Sequence, residues 1–323
     1  MLDHEPNFSL KIPPDAGPTL LRFVRQLGLT HVYTWISEEQ RNREYLSRLA
    51  ERIHAAGLTL YNVGNMDVAK SPAIHLGLPD RDRRIDQFQT FLEDLSAVGV
   101  RYTTFTWEPD QVWSTGRTHV RESSARTVDQ AKLGAQPNTH AREYSRDELW
   151  ENFEYFIERM IPAAESTSVS LALHPNDPPM ESIAGIPCLI RSGDDYRRAF
   201  EIAGSAHLGM EFCTGCWLEG GPAFGNITAA LEEFTHAGRV FIVHFRNVSA
   251  PLPQFTETFL DNGYHDMYEL MRILHQADYH GSISLDHTPR FFEDPDYPYA
   301  ESAYAIAYMR ALSERARAES NQR

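Results

Sequence analysis

Cysteine is scarce in this chain of 323 residues: Cys188, Cys213 and Cys216 are all there are. Three thiols are too few for a disulfide framework and suit a reducing cytoplasm. No apolar run approaches the roughly 20 residues that span a bilayer, so no membrane partner is expected. The opening stretch MLDHEPNFSLKIPP has neither a basic region nor an apolar one, and no signal peptide is expected. Positive charge is also short, with 30 Lys and Arg against 45 Asp and Glu, a net charge of −15. Phosphate backbones need a basic surface, so nucleic acid is excluded as the main partner. An anionic small molecule is not excluded, because a metal and a few arginines set the local field. The sequence lacks short-period repeats, low-complexity tracts and any linker that would mark a second domain. Residues 1–323 are therefore expected to form one domain, a length common for a barrel. The 42% hydrophobic and 23% charged residues are ordinary for a full core.

What is there is a regular alternation. FSLKI, HVYTWI, TLYNVG, YTTFTW, VSLALH, LGMEFC, VFIVHF and SISLDH read as strands, and an amphipathic helical segment follows each. The second helix is expected to open at Ser37, with Gln40 completing a capping-box spacing, and to stop at Gly57. Another is expected to open near Ser145, with Glu148 in the same relation, and the last runs from about Glu301 to Ala318. Residues from about 109 to 145 break the rhythm. They are polar, include several basic side chains and show neither period clearly, so a lid or mouth insertion after strand four is expected. Eight strand–helix pairs predict an α/β fold, a (β/α)8 TIM barrel, with a doubly wound open sheet as the alternative.

Four of the later strand segments stop on residues that bind metals: His174, Cys213, His244 and Asp286. Singly, each has a plainer reading as a polar strand end, a small core residue or a helix cap. A barrel gathers the carboxyl ends of its strands at one mouth, so the four can meet. Two imidazoles, a thiolate and a carboxylate suit a borderline divalent ion. Cys213 and Cys216 form a C-x-x-C, but the second pair of a zinc ribbon is missing, which leaves Cys213 as the useful member. Arg246, two residues past His244, falls on the same face and suits capture of a substrate carboxylate, or a surface ion pair. His287 is a candidate proton donor or acceptor. HPNDPP at 174–179 reads as a rigid turn that steadies a ligand.

The segments LALHPNDPP, FCTG, VHFRNV, ETFLDNGYHDM and DHTP, in this order and spacing, resemble the mannonate dehydratase family of the xylose-isomerase-like barrels. IHLGLPDRDRRIDQF resembles that family's segment after strand three, and the likeness covers residues 60 to 312. It implies a lyase that converts D-mannonate to 2-dehydro-3-deoxy-D-gluconate and water. The implied cofactor is a divalent metal, usually manganese, with iron, cobalt or zinc as alternatives. By motif match the metal ligands are His174, Cys213, His244 and Asp286, and the catalytic residues are His287 and Tyr297, with Tyr299 close by. The chain departs from the family at Asn176 and Asn247, where the family has aspartate, and at Ser302, where an arginine is common. Arg246, Asn176 and Asn247 are the expected substrate-binding residues, and these departures leave the sugar acid itself open. The resemblance also implies a homodimer or higher homo-oligomer. Rival readings are a metal-dependent sugar isomerase or epimerase on the same barrel, and a non-catalytic barrel that binds a sugar acid.

Overall fold

Parallel strands covered on both faces need near-continuous apolar runs rather than alternation, and the eight segments above have them. In the computed structural model, which describes residues 6–291 and 299–320, they become β1 (Asn7–Lys11), β2 (His31–Ile36), β3 (Thr59–Asn65), β4 (Tyr102–Thr106), β5 (Ser170–His174), β6 (Leu208–Cys213), β7 (Val240–Phe245) and β8 (Ser282–Leu285). Every strand pairs in parallel with its neighbours in sequence, and β8 returns to β1 with Asn7 opposite Ser282. The TIM barrel is therefore closed, and closure excludes the open sheet.

Two layers of core result. Between strands and helices the packing is aromatic: Phe156 lies 5.6 Å from both Phe105 and Trp107, and Trp107 lies 5.1 Å from Phe153. Inside the barrel, Tyr33, Tyr61, Ala172 and Ile242 form a small apolar cluster of their own. Polar side chains share that interior and satisfy one another. Ser9 bonds Tyr61 at 3.1 Å, Asn62 donates to Thr104 at 2.8 Å, and Thr104 donates to Glu211 at 3.3 Å.

Helix signals held in part. The helix Arg146–Thr167 opens with the expected box, Ser145 accepting from the Glu148 amide and Glu148 from the Ser145 amide. Ser37 does receive Gln40 on its backbone amide at 3.0 Å. The helix nevertheless starts six residues later, at Arg43, because Asn42 caps it by accepting from the Tyr45 amide at 3.0 Å. It stops as expected, with Gly57 at φ +71°.

The segment that seemed aperiodic holds a hairpin, Gly116–Val120 paired antiparallel with Ser123–Asp129. Arg121 and Glu122 make its turn with φ of 50° and 65°. The second hairpin strand pairs with Gln254–Thr258, which in turn pairs with Asn247–Val248. Loops after β4 and β7 thus build one four-stranded auxiliary sheet above the barrel strands' carboxyl ends. No helix among the described residues is long and apolar enough to cross a membrane.

Candidate metal centre

Strand register decides which side chains meet. Cys213 at the end of β6 is paired with His244 on β7, and His244 with Ser284 on β8. Period-two alternation then puts Asp286, two residues beyond Ser284, just above His244, and Glu211, two residues before Cys213, just below it. The distances agree. His174, Cys213 and His244 each offer a ligand atom within 4.8 Å of the others. Asp286 joins them, with Oδ2 3.5 Å from the Cys213 sulfur and Oδ1 3.6 Å from His244 Nδ1. All four residues predicted as ligands are therefore neighbours.

Their chemistry fits a cation. His174 Nδ1 lies 2.7 Å from the Pro175 carbonyl oxygen, an atom that only accepts. Nδ1 therefore carries a proton, and Nε2 remains for the centre. The His244 nitrogens are buried without a well-aligned hydrogen bond, although Nε2 sits 2.9 Å from Glu211 Oε1. Burial opposes charge on all these groups, yet each finds the opposite charge beside it. The hydrogen bond with Cys216 and the Arg246 guanidinium bring the Cys213 thiol well below its usual range. Asp286 is held low chiefly by His287 and His244. Glu211 and Asp286 raise the His244 imidazole. A set of donors this anionic and this close is what a borderline divalent ion matches.

Arg246 is buried completely. Its Nη1 reaches Glu219 at 2.5 Å and Glu257 at 3.1 Å, Nη2 reaches Asp177 at 3.0 Å, and Nε lies 2.9 Å from Asp286. The structure thus turns this residue inward, against the expectation of a surface pair: three carboxylates hold its Nη groups, and a fourth stands beside Nε. Gly215 permits the fit, since a Cβ there would stand 2.1 Å from Arg246 Nε. Arg126 of the hairpin joins from the other side, bonding Asp177 at 2.6 Å and Glu257 at 3.0 Å. Asp177, Cys216 and Glu219 form a second close set of donors, but the two guanidiniums already supply its positive charge.

Asn176 and Asn247, expected at the substrate, spend their amides on the main chain of neighbouring loops. Asn176 donates to the Trp107 carbonyl and accepts from the Ile190 amide. Asn247 donates to the carbonyls of Leu260 and His265. Both are buried and hold loops by their main chain. His287 is different. Its side chain is 46% exposed, with Nδ1 2.9 Å from Glu257 Oε1 and Nε2 3.6 Å from Asp286 Oδ1. Asp286, and Glu257 less strongly, raise its pKa against the effect of burial. Tyr297 lies outside the described residues. Tyr299 begins the last helix, with its ring edge-on to Phe23 at 4.8 Å.

A cavity of about 640 Å³ opens beside Asp286 and His287, and Lys11, Arg117 and Arg290 bring cations to its wall. Ser302 lies on the same wall. Sequence reasoning missed Glu211, Glu257 and Arg126. Glu211 was readable, two residues before Cys213 on an inward face. Glu257 stands inside the motif ETFLDNGYHDM but carried no sign of its partner, and Arg126 had no signal at all.

The closed barrel and its cluster of donors at the carboxyl ends define a TIM barrel with its candidate site at the usual mouth. The mannonate dehydratase of Streptococcus suis serotype 2 shares this fold, with a TM-score of 0.88 at 23% identity over 98% of this chain and 95% of that one. An L-ribulose 3-epimerase shares it more loosely, with a TM-score of 0.65 at 14% identity over 98% of both chains. The mannonate dehydratases of Thermotoga petrophila and Thermotoga maritima are 28% identical over 84% of this chain and 85% of theirs. The family model described as D-mannonate dehydratase (UxuA) matches residues 127–323. The chain belongs to the mannonate dehydratase family, and it is a hydro-lyase.

Proposed function

We propose that the protein removes water from D-mannonate or a close analogue to give 2-dehydro-3-deoxy-D-gluconate. The observation that carries this is the meeting of His174, Cys213, His244 and Asp286 at one point, with His287 next to them on a cavity wall. These four residues would hold a divalent ion, for which we propose Mn²⁺, with Fe²⁺, Co²⁺ or Zn²⁺ as alternatives. When bound, it supplies Lewis-acid stabilisation of the negative charge that grows as the proton next to the substrate carboxylate is lost. Lys11 and Arg290 on the cavity wall are placed to attract that carboxylate. His287 presents Nε2 as the proton-transfer atom, and Tyr297 is its proposed partner at the second site of transfer. Arg246, Asn176 and Asn247 enter this scheme as supports of the centre. We further propose that the chain acts as one domain, assembles as a homodimer or higher homo-oligomer, and works in the cytoplasm, which suits its three free cysteines.

The test is direct. Protein loaded with Mn²⁺ is incubated with D-mannonate and a panel of aldonic and uronic acids, and 2-keto-3-deoxy acid is measured. His287→Asn should lower turnover at least about 100-fold while bound metal is unchanged. Full activity in that variant would remove His287 from the reaction. Formation of an epimer without keto acid would favour the isomerase or epimerase reading instead.

A further inference from the structure

Glu257 is a buried carboxylate that receives three N–H donors on a single oxygen. Its Oε1 lies 2.9 Å from His287 Nδ1, 3.0 Å from Arg126 Nη1 and 3.1 Å from Arg246 Nη1. Neither Glu257 nor Arg126 belongs to the barrel. Glu257 stands on the auxiliary strand Gln254–Thr258 from the loop after β7, and Arg126 on Ser123–Asp129 from the loop after β4. The two strands are paired, with Phe255 opposite Val128, so both charges are delivered to the cavity by one sheet.

An ionised carboxylate only accepts hydrogen bonds. The contact at 2.9 Å therefore needs a proton on His287 Nδ1, and Nε2 is left facing the cavity beside Asp286. We propose that Glu257 is a positioning residue, which fixes the Nδ1–H tautomer and ring orientation of His287 so that Nε2 transfers the proton. The two guanidiniums, at 3.0 and 3.1 Å, give Glu257 a counter-charge whether or not the His287 ring is charged. Burial opposes its charge, but His287 and the guanidiniums hold the carboxyl down at about 2. A carboxylate so held orients the imidazole and stabilises its cation without taking its proton, which is the role of the acid in a Ser-His-Asp triad. The auxiliary sheet thereby acts as a platform for the acid–base group, apart from any service it gives as a lid. The catalytic meaning of this role rests on the dehydratase reading, but the tautomer does not.

Two readouts test it. The first is a long-range ¹H–¹⁵N spectrum of metal-free protein labelled at histidine, recorded where the His287 ring is neutral and assigned by the signal lost in His287→Asn. In the native protein Nε2 should appear as the unprotonated nitrogen. In Glu257→Gln, where the amide can also present N–H to the ring, both tautomers should be populated. The second is steady-state kinetics of the metal-loaded enzyme. There kcat should fall roughly 100-fold with KM and bound metal little changed, since an aid to proton transfer is lost and not a substrate contact. If Glu257→Gln does not fold, Glu257→Asp shortens the reach by one carbon and should show the same mixing of tautomers. A native tautomer and native kcat in a folded Glu257 variant would overturn the proposal. So would a wild-type ring that carries its proton on Nε2. Because the spectrum reads the ring and not the substrate, a wild-type protein that forms no keto acid would refute the reaction and leave the spectrum to judge Glu257.

Discussion

Cys213 meets an imidazole, a carboxylate, a guanidinium and a backbone amide, and the balance of these decides its chemistry. The Cys216 amide and Arg246 Nη2 both point at the sulfur from 3.5 Å. Burial would favour the neutral thiol, but the Cys216 side chain and the Arg246 guanidinium favour the thiolate, which is the form that binds metals. Cys213→Ser keeps the shape and removes that option, since a serine hydroxyl does not ionise near neutral pH. Titration with Co²⁺ should show a sulfur-to-cobalt band in the native protein and none in the variant, with affinity reduced at least about tenfold. An unchanged band would place the sulfur outside the coordination sphere. At this scale the sequence was legible wherever a residue sits at a strand end, because strand direction and period-two alternation fix where such a side chain points. Arg246 shows the limit. Spacing put it on the face of His244, but its partners Glu219, Asp177 and Glu257 lie 27, 69 and 11 residues away, and no local pattern specifies them.

The helix Arg146–Thr167 shows what an element takes from its own sequence. Its first turn is closed by two side-chain bonds between residues three apart, so the box can be read without the fold. Ser145→Ala should cost about 1 kcal/mol of stability, measured by denaturant unfolding, and leave turnover unchanged. Glu148 is lowered to about 2, first by its bond with Arg142 and then by Ser145. A carboxyl lowered by folding contributes above its unfolded pKa and loses that contribution as pH falls toward its folded one. Between about pH 4.5 and 2 this part of the acid sensitivity should vanish in Glu148→Gln. The hairpin in residues 109–145 was opaque for the opposite reason. Its first strand, Gly116–Val120, is exposed along nearly its whole length, so no apolar alternation is required of it. What orders it is the strand beside it and, through that, a segment more than a hundred residues later. The Ser37 signal misled because a nearer competitor, Asn42, satisfied the helix amides first.

For the molecule as a whole, four donors at the carboxyl ends of β5 to β8 tie half of the barrel to one point, so a bound cation should act as a clasp. A ligand that binds only the folded state at 100 times its dissociation constant adds about 2.7 kcal/mol. With an unfolding entropy of about 2.1 cal/mol/K per residue, a chain of 323 residues should gain about 4 °C in Tm. Thermal unfolding with Mn²⁺ against excess EDTA measures this, and equal midpoints would leave the clasp without support. Sequence by itself determined the eight-fold alternation, the closed barrel it leads to and the four donors at the strand ends. These follow from local periods and from the rule that parallel strands present one end together. Only the tertiary structure decided that Arg246 faces inward, that Glu257 holds His287, and that two distant loops join into a sheet. Those are choices of partner between segments far apart in the chain, and a buried charge settles on whichever counter-charge the folded backbone brings within reach.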